Sequence, residues 1–437
     1  MTLVMRLKKK FYFLAANYFR FFANISLRRW KPRVIAITGS VGKTTMLNLV
    51  ESTLKTKAHY SFNANSAFGV VFDIVDMDGV RGSKWRWLSL IIGVPFKSFF
   101  YTHREKFYIV EIDGERPHEA EFLAKWLKPE VTIWVSLGLS HAVQFEKQVE
   151  AGIFPNLEKA ITHEFATLPE NTQKLILIDK DVDLMNRAID KIVAKGKTKA
   201  EVIKCSKSEL LNYTVYPNKT EFVMNFSSQP KLNEFTITFK NPMQRDLAIQ
   251  LSMLSKLCEY LHIQIPSDFS DMREAPGRNT FLRGINNLKI IDSSYNAHLI
   301  SMESILKMYR SMRTQHKWLV IGDMVEQGSI EQHEHEKLAD AIIASEPKQV
   351  ILIGRRTRAY TYPILQKQGI KVDAFDDPKQ ALEFIQQNAK NGETILFKGS
   401  QYLEWIIEKL LLNSKDAERL PRREKAAEKR REKRGLN

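Results

Sequence analysis

From Lys31 onward, short runs rich in Val, Ile and Phe alternate with longer stretches whose apolar positions recur at helical spacing. That alternation predicts strands layered against helices, an α/β protein. The expected strands of a first sheet are Val34–Thr38, Phe107–Glu111, Val131–Val135 and Lys174–Ile178. The period then changes. From Asn212 to Phe239, Thr, Val and Phe alternate with turn residues, which predicts small antiparallel strands added to that sheet. A helix is expected from about Met243 to His262, followed by a Pro-Gly break in "EAPGRNTF", Glu274 to Phe281. Beyond the break the alternation restarts with Leu288–Ile291, Trp318–Ile321, Gln349–Ile353 and Thr394–Phe397. The expected organisation is a central P-loop domain over 33–274 with a mostly parallel sheet and an insertion at 80–105. A smaller Rossmann-like domain over 275–413 follows it, and the chain closes with a charged tail, 414–437.

Two apolar stretches do not fit the α/β rhythm. In residues 1–32, Phe11, Leu14, Ala15, Tyr18, Phe19, Phe22 and Ile25 follow helical spacing between basic flanks. The run is interrupted by Arg20 and falls short of the roughly 20 residues of a spanning helix. It lacks a small-residue cleavage signature and is therefore not read as a signal peptide. A helix in the membrane interface facing anionic lipid and a helix packed on its own domain are equally open. "KWRWLSLIIGVPFKSFFY", Lys84 to Tyr101, is aromatic and Pro/Gly-broken, either an interfacial hairpin or a core insertion.

Charge sharpens this picture. Of the net +16, residues 1–33 supply +9 with no acid, and 414–437 supply +5 from ten Lys/Arg and five acids. The body is nearly neutral, so no basic face for nucleic acid is expected. The tail reads as a solvated helix or disorder. With 44% hydrophobic and 27% charged residues, the 437-residue chain is globular and long enough for two or three domains. Cys205 and Cys258 stand far apart in no ligand spacing, which supports neither a disulfide framework nor a zinc site and fits a reducing cytoplasm.

The chemistry-bearing stretch is "ITGSVGKTT", Ile37 to Thr45. It has the short spelling G-x-x-G-K-T, after an apolar run and before a helix-compatible one, as a phosphate cradle requires. Backbone N–H groups of Gly39, Ser40, Val41, Gly42 and Thr45 would hold phosphates, Lys43 would reach their outer oxygens, and Thr44 would bind Mg²⁺. A Gly-rich turn without ligand is the plain alternative. Glu111 in "YIVEIDG" ends one expected strand and His141 in "WVSLGLSHAVQF" follows another, where open sheets bind ligands; both are candidate magnesium ligands, with a structural histidine the plain alternative for His141. Asp292, Ser294, Tyr295 and Asn296 crowd the first βα junction of the second domain, as a nucleotide contact or as a polar cap.

Together "TGSVGKTT", "NANSAFGV", "VEIDG", "LGLSH", "PGR", "DSSYNAHLISM", "GDMVEQG" and "KGS" run in an order that resembles the Mur ligase family. The resemblance spans about Arg33 to Leu412 and implies ATP-dependent amide formation on a muramyl-peptide precursor, UDP- or lipid-linked. ATP phosphorylates the carboxylate, an amine such as D-alanyl-D-alanine attacks the acyl phosphate, and phosphate leaves. It further implies that Lys43 and Thr44 meet phosphate and Mg²⁺, that Glu111 and His141 hold magnesium, and that Gln244 meets adenine. Arg278, Asp292 and Tyr295 would close over the nucleotide. Asn65 and Ser66 would touch substrate, and Asn296 and Ser301 would approach the incoming amine.

The chain departs from the family in three places. About thirty residues precede the first strand, where relatives carry a UDP-sugar-binding domain. Ile161 aligns with the carbamylated lysine of many members, with Lys159 two residues earlier as a substitute. "YNANP" of relatives is "YNAHL" here, with His298 and Leu299. The expected enzyme is a cytoplasmic monomer, with peripheral contact to an anionic membrane at the inner face. A P-loop small-molecule kinase or ATPase, and a ligase-derived membrane protein without turnover, are the rival classes.

Overall fold

The computed structural model describes residues 3–436 except 63, 80–83, 115, 139–143, 227–233, 296, 326, 328, 329 and 401; for 3–11 and 84–85 it describes the backbone alone. The chain forms two contact units, Met1–Glu209 with Ile249–Ile265, and Leu210–Ala248 with Pro266–Asn437. Residues 210–248 and 266–274 thus fall in the second unit, away from the boundary expected at 274/275.

The first unit is built on a parallel sheet of β1 (Arg33–Thr38), β2 (Ala58–Tyr60), β3 (Phe107–Ile112), β4 (Val131–Trp134), β5 (Leu175–Asp179) and β6 (Glu201–Cys205), in the order β2-β3-β1-β4-β5-β6. Every β1 residue after Arg33 is buried, as expected of a parallel strand covered on both faces. Phe19, Val70, Tyr108 and Leu123 belong to one core cluster, and Trp134, Phe145, Ile161 and Phe165 to another. The strand order reverses at β1, so the crevice outside the carboxyl ends of β1, β3 and β4 is where such a sheet takes its ligand.

Five helices of this unit matter below: α1 (Leu3–Trp30), α2 (Lys43–Leu54), α3 (Ala67–Ile74), α4 (Lys84–Phe100) and α5 (Glu119–Leu127). The N-terminal segment packs on its own unit. Ala16, Phe19, Ala23 and Ser26 form a stripe at most 1% exposed. The Tyr12 hydroxyl donates to Glu119 at 2.6 Å, and the Trp126 indole donates to Asn24 at 2.6 Å. The aromatic insertion is one helix, α4, and not a hairpin: Pro95 sits inside it, with Leu90 and Val94 buried before it and Ser98 buried after it.

The second unit holds two sheets. β7 (Leu210–Tyr216), β8 (Lys219–Met224) and β9 (Phe235–Phe239) pair antiparallel in a sheet of their own, which corrects the expectation that they extend the first one. The other sheet runs β10-β11-β15-β12-β13-β14, formed by β10 (Thr280–Arg283), β11 (Lys289–Ser293), β12 (Lys317–Gly322), β13 (Gln349–Ile353), β14 (Val372–Phe375) and β15 (Thr394–Lys398). Only β10 is antiparallel to its neighbour. The charged tail is neither solvated nor loose. Leu420 and Leu436 are 1% and 3% exposed, Arg419 pairs with Glu274 at 2.9 Å, and Arg423 pairs with Glu408 at 2.8 Å.

Candidate active site

The phosphate-type loop follows from its neighbours. Thr38 donates to the Ile112 carbonyl at 2.8 Å, which fixes the end of β1 against β3. Gly39 then turns the chain at φ 143°; a Cβ there would lie 2.8 Å from Ser136 N and from Val135 Cγ2, so a larger residue would force the loop off β4. Ser40 accepts from the Gly138 N–H at 2.8 Å, and the Val41 N–H donates to Ser136 Oγ at 2.8 Å. Gly42, at φ 87°, caps α2, whose first residues are Lys43, Thr44 and Thr45. The free N–H groups of that first turn and the helix dipole make an anion-binding end.

Carboxylates from the end of β3 meet this turn. Lys43 Nζ lies 2.9 Å from Asp113 Oδ1 and donates to the Gly39 carbonyl at 2.7 Å, both side chains being largely buried. Thr44 Oγ1 stands 3.2 and 3.4 Å from the two Glu111 oxygens. Glu111 is buried, and its backbone N–H donates to Ser61 Oγ at 2.9 Å. Asn65 donates to the second oxygen of Asp113. The result is a lysine, a hydroxyl and two carboxylates at the ends of adjacent parallel strands. Thr44 and Glu111 offer the hard oxygen donors that suit Mg²⁺.

The other expected residues fare unevenly. Ser66 is the N-cap of α3, accepting from the Gly69 N–H at 3.1 Å. His141 lies outside the described residues, as does Asn296. Lys159 is exposed on the first turn of the helix Leu157–Glu170, where its backbone N–H is capped by Asn156. Ile161 instead lines a cavity of about 40 Å³ with Leu137, Gly138 and Thr162.

In the second unit Gln244 sits half-buried in the turn before the helix Leu247–Leu261. Ser301 closes a capping box with His298 at the start of the helix Leu299–Ser311. Asp292, fully buried at the end of β11, accepts from the Ser294 N–H at 3.0 Å through one oxygen, while its other oxygen has no hydrogen-bond partner. Burial pushes its carboxyl from the ordinary 3.8 up to about 6. Lys398, paired in register with Ser293, is pushed from 10.5 down to about 8 by burial and by Arg278. The Arg278 guanidinium lies 5.1 Å from the centre of the Tyr295 ring, and that ring is half in solvent. The Tyr295 N–H donates to the Gly277 carbonyl at 3.1 Å, so "PGR" and "DSSY" form one strand-end cluster.

Three residues escaped the sequence reading. Asp113 stood in the quoted "VEIDG", two positions after Glu111 and on the same face of the strand end. Gln250 lies so near the loop that a Cβ on Gly42 would come within 2.5 Å of its Nε2, and its Oε1 is buried without a hydrogen-bond partner. Arg422 donates to the Ser294 carbonyl at 3.1 Å and to the Tyr295 carbonyl at 2.8 Å, from a tail assigned no role. No motif in the sequence marks Gln250 or Arg422.

The fold and the loop define a nucleotide-dependent α/β enzyme with two ligand-type strand ends, and the comparisons narrow that class. The family model described as Mur ligase, glutamate ligase domain, matches residues 277–401. The UDP-N-acetylmuramoyl-tripeptide–D-alanyl-D-alanine ligase of Rickettsia prowazekii is 24% identical over 381 residues, 85% of this chain and 76% of the relative. The Escherichia coli ligase of the same name is 22% identical over 331 residues, 75% and 66% of the two chains. MurF from Acinetobacter baumannii shares the fold at a TM-score of 0.67 and 17% identity, over 89% of this chain and 78% of that one. MurF ligase from Thermotoga maritima, solved in complex with ADP, does so at 0.67 and 16%, over 95% and 84%. Over most of its length the chain is similar to Mur ligases, with residues 277–401 matching their glutamate ligase domain, and the enzyme class this supports is an ATP-dependent amide ligase.

Proposed function

We propose that the chain joins the carboxylate of a muramyl-peptide precursor, UDP- or lipid-linked, to an incoming amine, D-alanyl-D-alanine or a similar compound. The γ-phosphoryl group of ATP passes to the substrate carboxylate, releasing ADP. The amine nitrogen then attacks the acyl carbon, loses a proton, and phosphate departs with the C–O bond electrons. No protein nucleophile is needed, so catalysis is positioning and charge neutralisation.

The observation that carries this reading is the meeting of Lys43, Thr44, Glu111 and Asp113 at the ends of β1 and β3. Lys43 neutralises charge on the transferring phosphoryl group. The Gly39–Thr45 backbone holds the β-phosphate, and Asp113 and Asn65 orient Lys43. Thr44 and Glu111, with His141, would hold Mg²⁺, which supplies charge neutralisation and orientation of the phosphates. Gln244, Arg278, Asp292 and Tyr295 take nucleotide roles; Asn65, Ser66, Asn296 and Ser301 take substrate roles; Lys159 is the candidate for carbamylation. The enzyme works as a monomer in the cytoplasm, in peripheral contact with an anionic membrane.

The test is phosphate release from ATP across candidate precursors and amines. The expected result is turnover that requires both a carboxylate and an amine substrate. Turnover with a single hydroxyl acceptor, or with water alone, would replace the reading with a kinase or an ATPase.

A further inference from the structure

Nine of the seventeen exposed large apolar side chains among the described residues lie on just two helices, α1 and α4. The helices run side by side in the same direction. The Phe19 and Trp87 rings are 6.2 Å apart, the Tyr18 hydroxyl donates to the Ile91 carbonyl at 3.1 Å, and Arg29 donates to the Ser98 carbonyl at 3.4 Å.

Each helix has an inner and an outer stripe. Inside, Ala16, Phe19, Ala23 and Leu90, Val94 are at most 1% exposed. On the outer side of α1, Leu14, Tyr18 and Phe21 follow one another at helical spacing, Leu14 and Phe21 being 66% and 65% exposed. On α4, Leu88, Ile92, Phe96, Phe99 and Phe100 do the same, rising to 73% at Phe100. The Tyr18–Ile91 hydrogen bond joins the two stripes into one surface. Soluble monomers rarely leave a patch of this kind in water.

Charge selects the occupant. The two helices together hold ten Lys/Arg and no Asp or Glu. Arg86 and Lys97 are engaged by Asp78 and Asp76, and seven of the ten basic residues lie on α1, with Arg28 exposed near its end. A second copy of the chain would bring like charges together across a two-fold interface, which disfavours self-association. An anionic leaflet supplies the opposite charge together with an apolar layer for Phe and Ile side chains. Among the described residues no helix is long and apolar enough to cross a membrane.

We infer that the outer face of the α1/α4 pair seats the protein on an anionic phospholipid surface. The inference rests on the membrane-contact part of the proposed function and gives that contact a built two-helix face. Because the inner stripe fixes α1 to its unit, the first unit meets the bilayer in one orientation.

Sedimentation with vesicles of zwitterionic lipid, alone or with about a third anionic lipid, tests it on the full chain. Wild type is compared with I92S/F96S/F100S, whose changes are confined to exposed positions, and with R28A. The melting temperature of each variant and its ATP-dependent turnover in solution serve as the fold control. The expected result is binding to anionic vesicles only, reduced at least tenfold in the triple variant and about threefold in R28A, with turnover in solution unchanged. Equal binding by wild type and the triple variant would overturn the two-helix face while leaving charge-driven membrane contact in place. Failure of wild type to bind any vesicle would overturn both. A wild-type dimer dissolved by the triple substitution would reassign the face to self-association.

Discussion

The two strand-end clusters follow the same α/β logic but handle charge in opposite ways. At the cradle of the first unit the cation and the carboxylates answer one another: Lys43 lies on Asp113, and Thr44 lies on Glu111. At the second cluster burial dominates, and both Asp292 and Lys398 are pushed toward their neutral forms. The first arrangement offsets part of its desolvation cost by pairing Lys43 with Asp113. The second keeps charge buried at a cost, which a fold tolerates where a ligand or a reaction uses that charge.

The largest expected effect is at the cradle. Lys43→Ala should lower ATP-dependent phosphate release about 10³-fold, because the ammonium acts on charge that develops during transfer. The melting temperature should fall by only a few degrees, since Asp113 keeps its Asn65 partner. Turnover within tenfold of wild type would remove Lys43 from the reaction. Glu111→Ala comes next, with a loss of about 10²-fold and a Mg²⁺ titration displaced to higher concentration. An unshifted titration would leave Glu111 a structural partner of Thr44.

The second cluster makes the contrary prediction for stability. Asp292 has a higher pKa in the fold than in the unfolded chain, so between about pH 4 and pH 6 the native state binds more protons. Stability from this group is therefore present at low pH and lost as pH rises through 6. Lys398 works the other way: between about pH 8 and 10.5 the unfolded chain holds the proton that the fold gives up, so stability rises with pH there. Asp292→Asn should flatten the acid-side slope and stabilise the protein at pH 8 by roughly 2 kcal/mol, while turnover falls at least tenfold. Urea denaturation at pH 4.5, 6 and 8 checks it. A variant less stable at every pH would mean that the carboxylate is a structural acceptor and nothing more.

Legibility in the sequence tracks burial. The eight expected strands of the two six-stranded sheets are all present, and each lies in a sheet interior. The four unexpected strands, β2, β6, β10 and β14, are the edges. Edge strands are half-exposed, as in the mixed burial of β6 and β14, so their apolar signal is diluted. The cradle was readable because Lys43, Thr44 and Glu111 sit in local motifs with fixed offsets. Gln250 was not, because it reaches Gly42 from a helix some two hundred residues away. The N-terminal helix was half-readable. Its periodicity predicted a helix, but an inner stripe of Ala16, Phe19 and Ala23 and an outer one of Leu14, Tyr18 and Phe21 look alike until the partner helices are placed.

The smallest effect concerns the tail, which charge alone presented as solvated. Arg422 adopts φ 59°, a left-handed conformation that is uncommon for a residue with a side chain. From there its guanidinium reaches the Ser294 and Tyr295 carbonyls and lies 3.2 Å from Glu404, which is almost fully buried. One fork thus holds the loop of the second cluster in place from outside. Arg422→Lys keeps a charge for Glu404 but gives up the planar fork to the two carbonyls. The expected cost is about 1 kcal/mol, a fall in melting temperature of about 2–4 °C for a unit of this size. If the fork positions the loop for nucleotide, KM for ATP should rise a few-fold with kcat little changed, since Arg422 touches backbone and not reacting atoms. The same fall in melting temperature with an unaltered KM would confine Arg422 to holding the tail, and the two clusters would then differ in electrostatics alone.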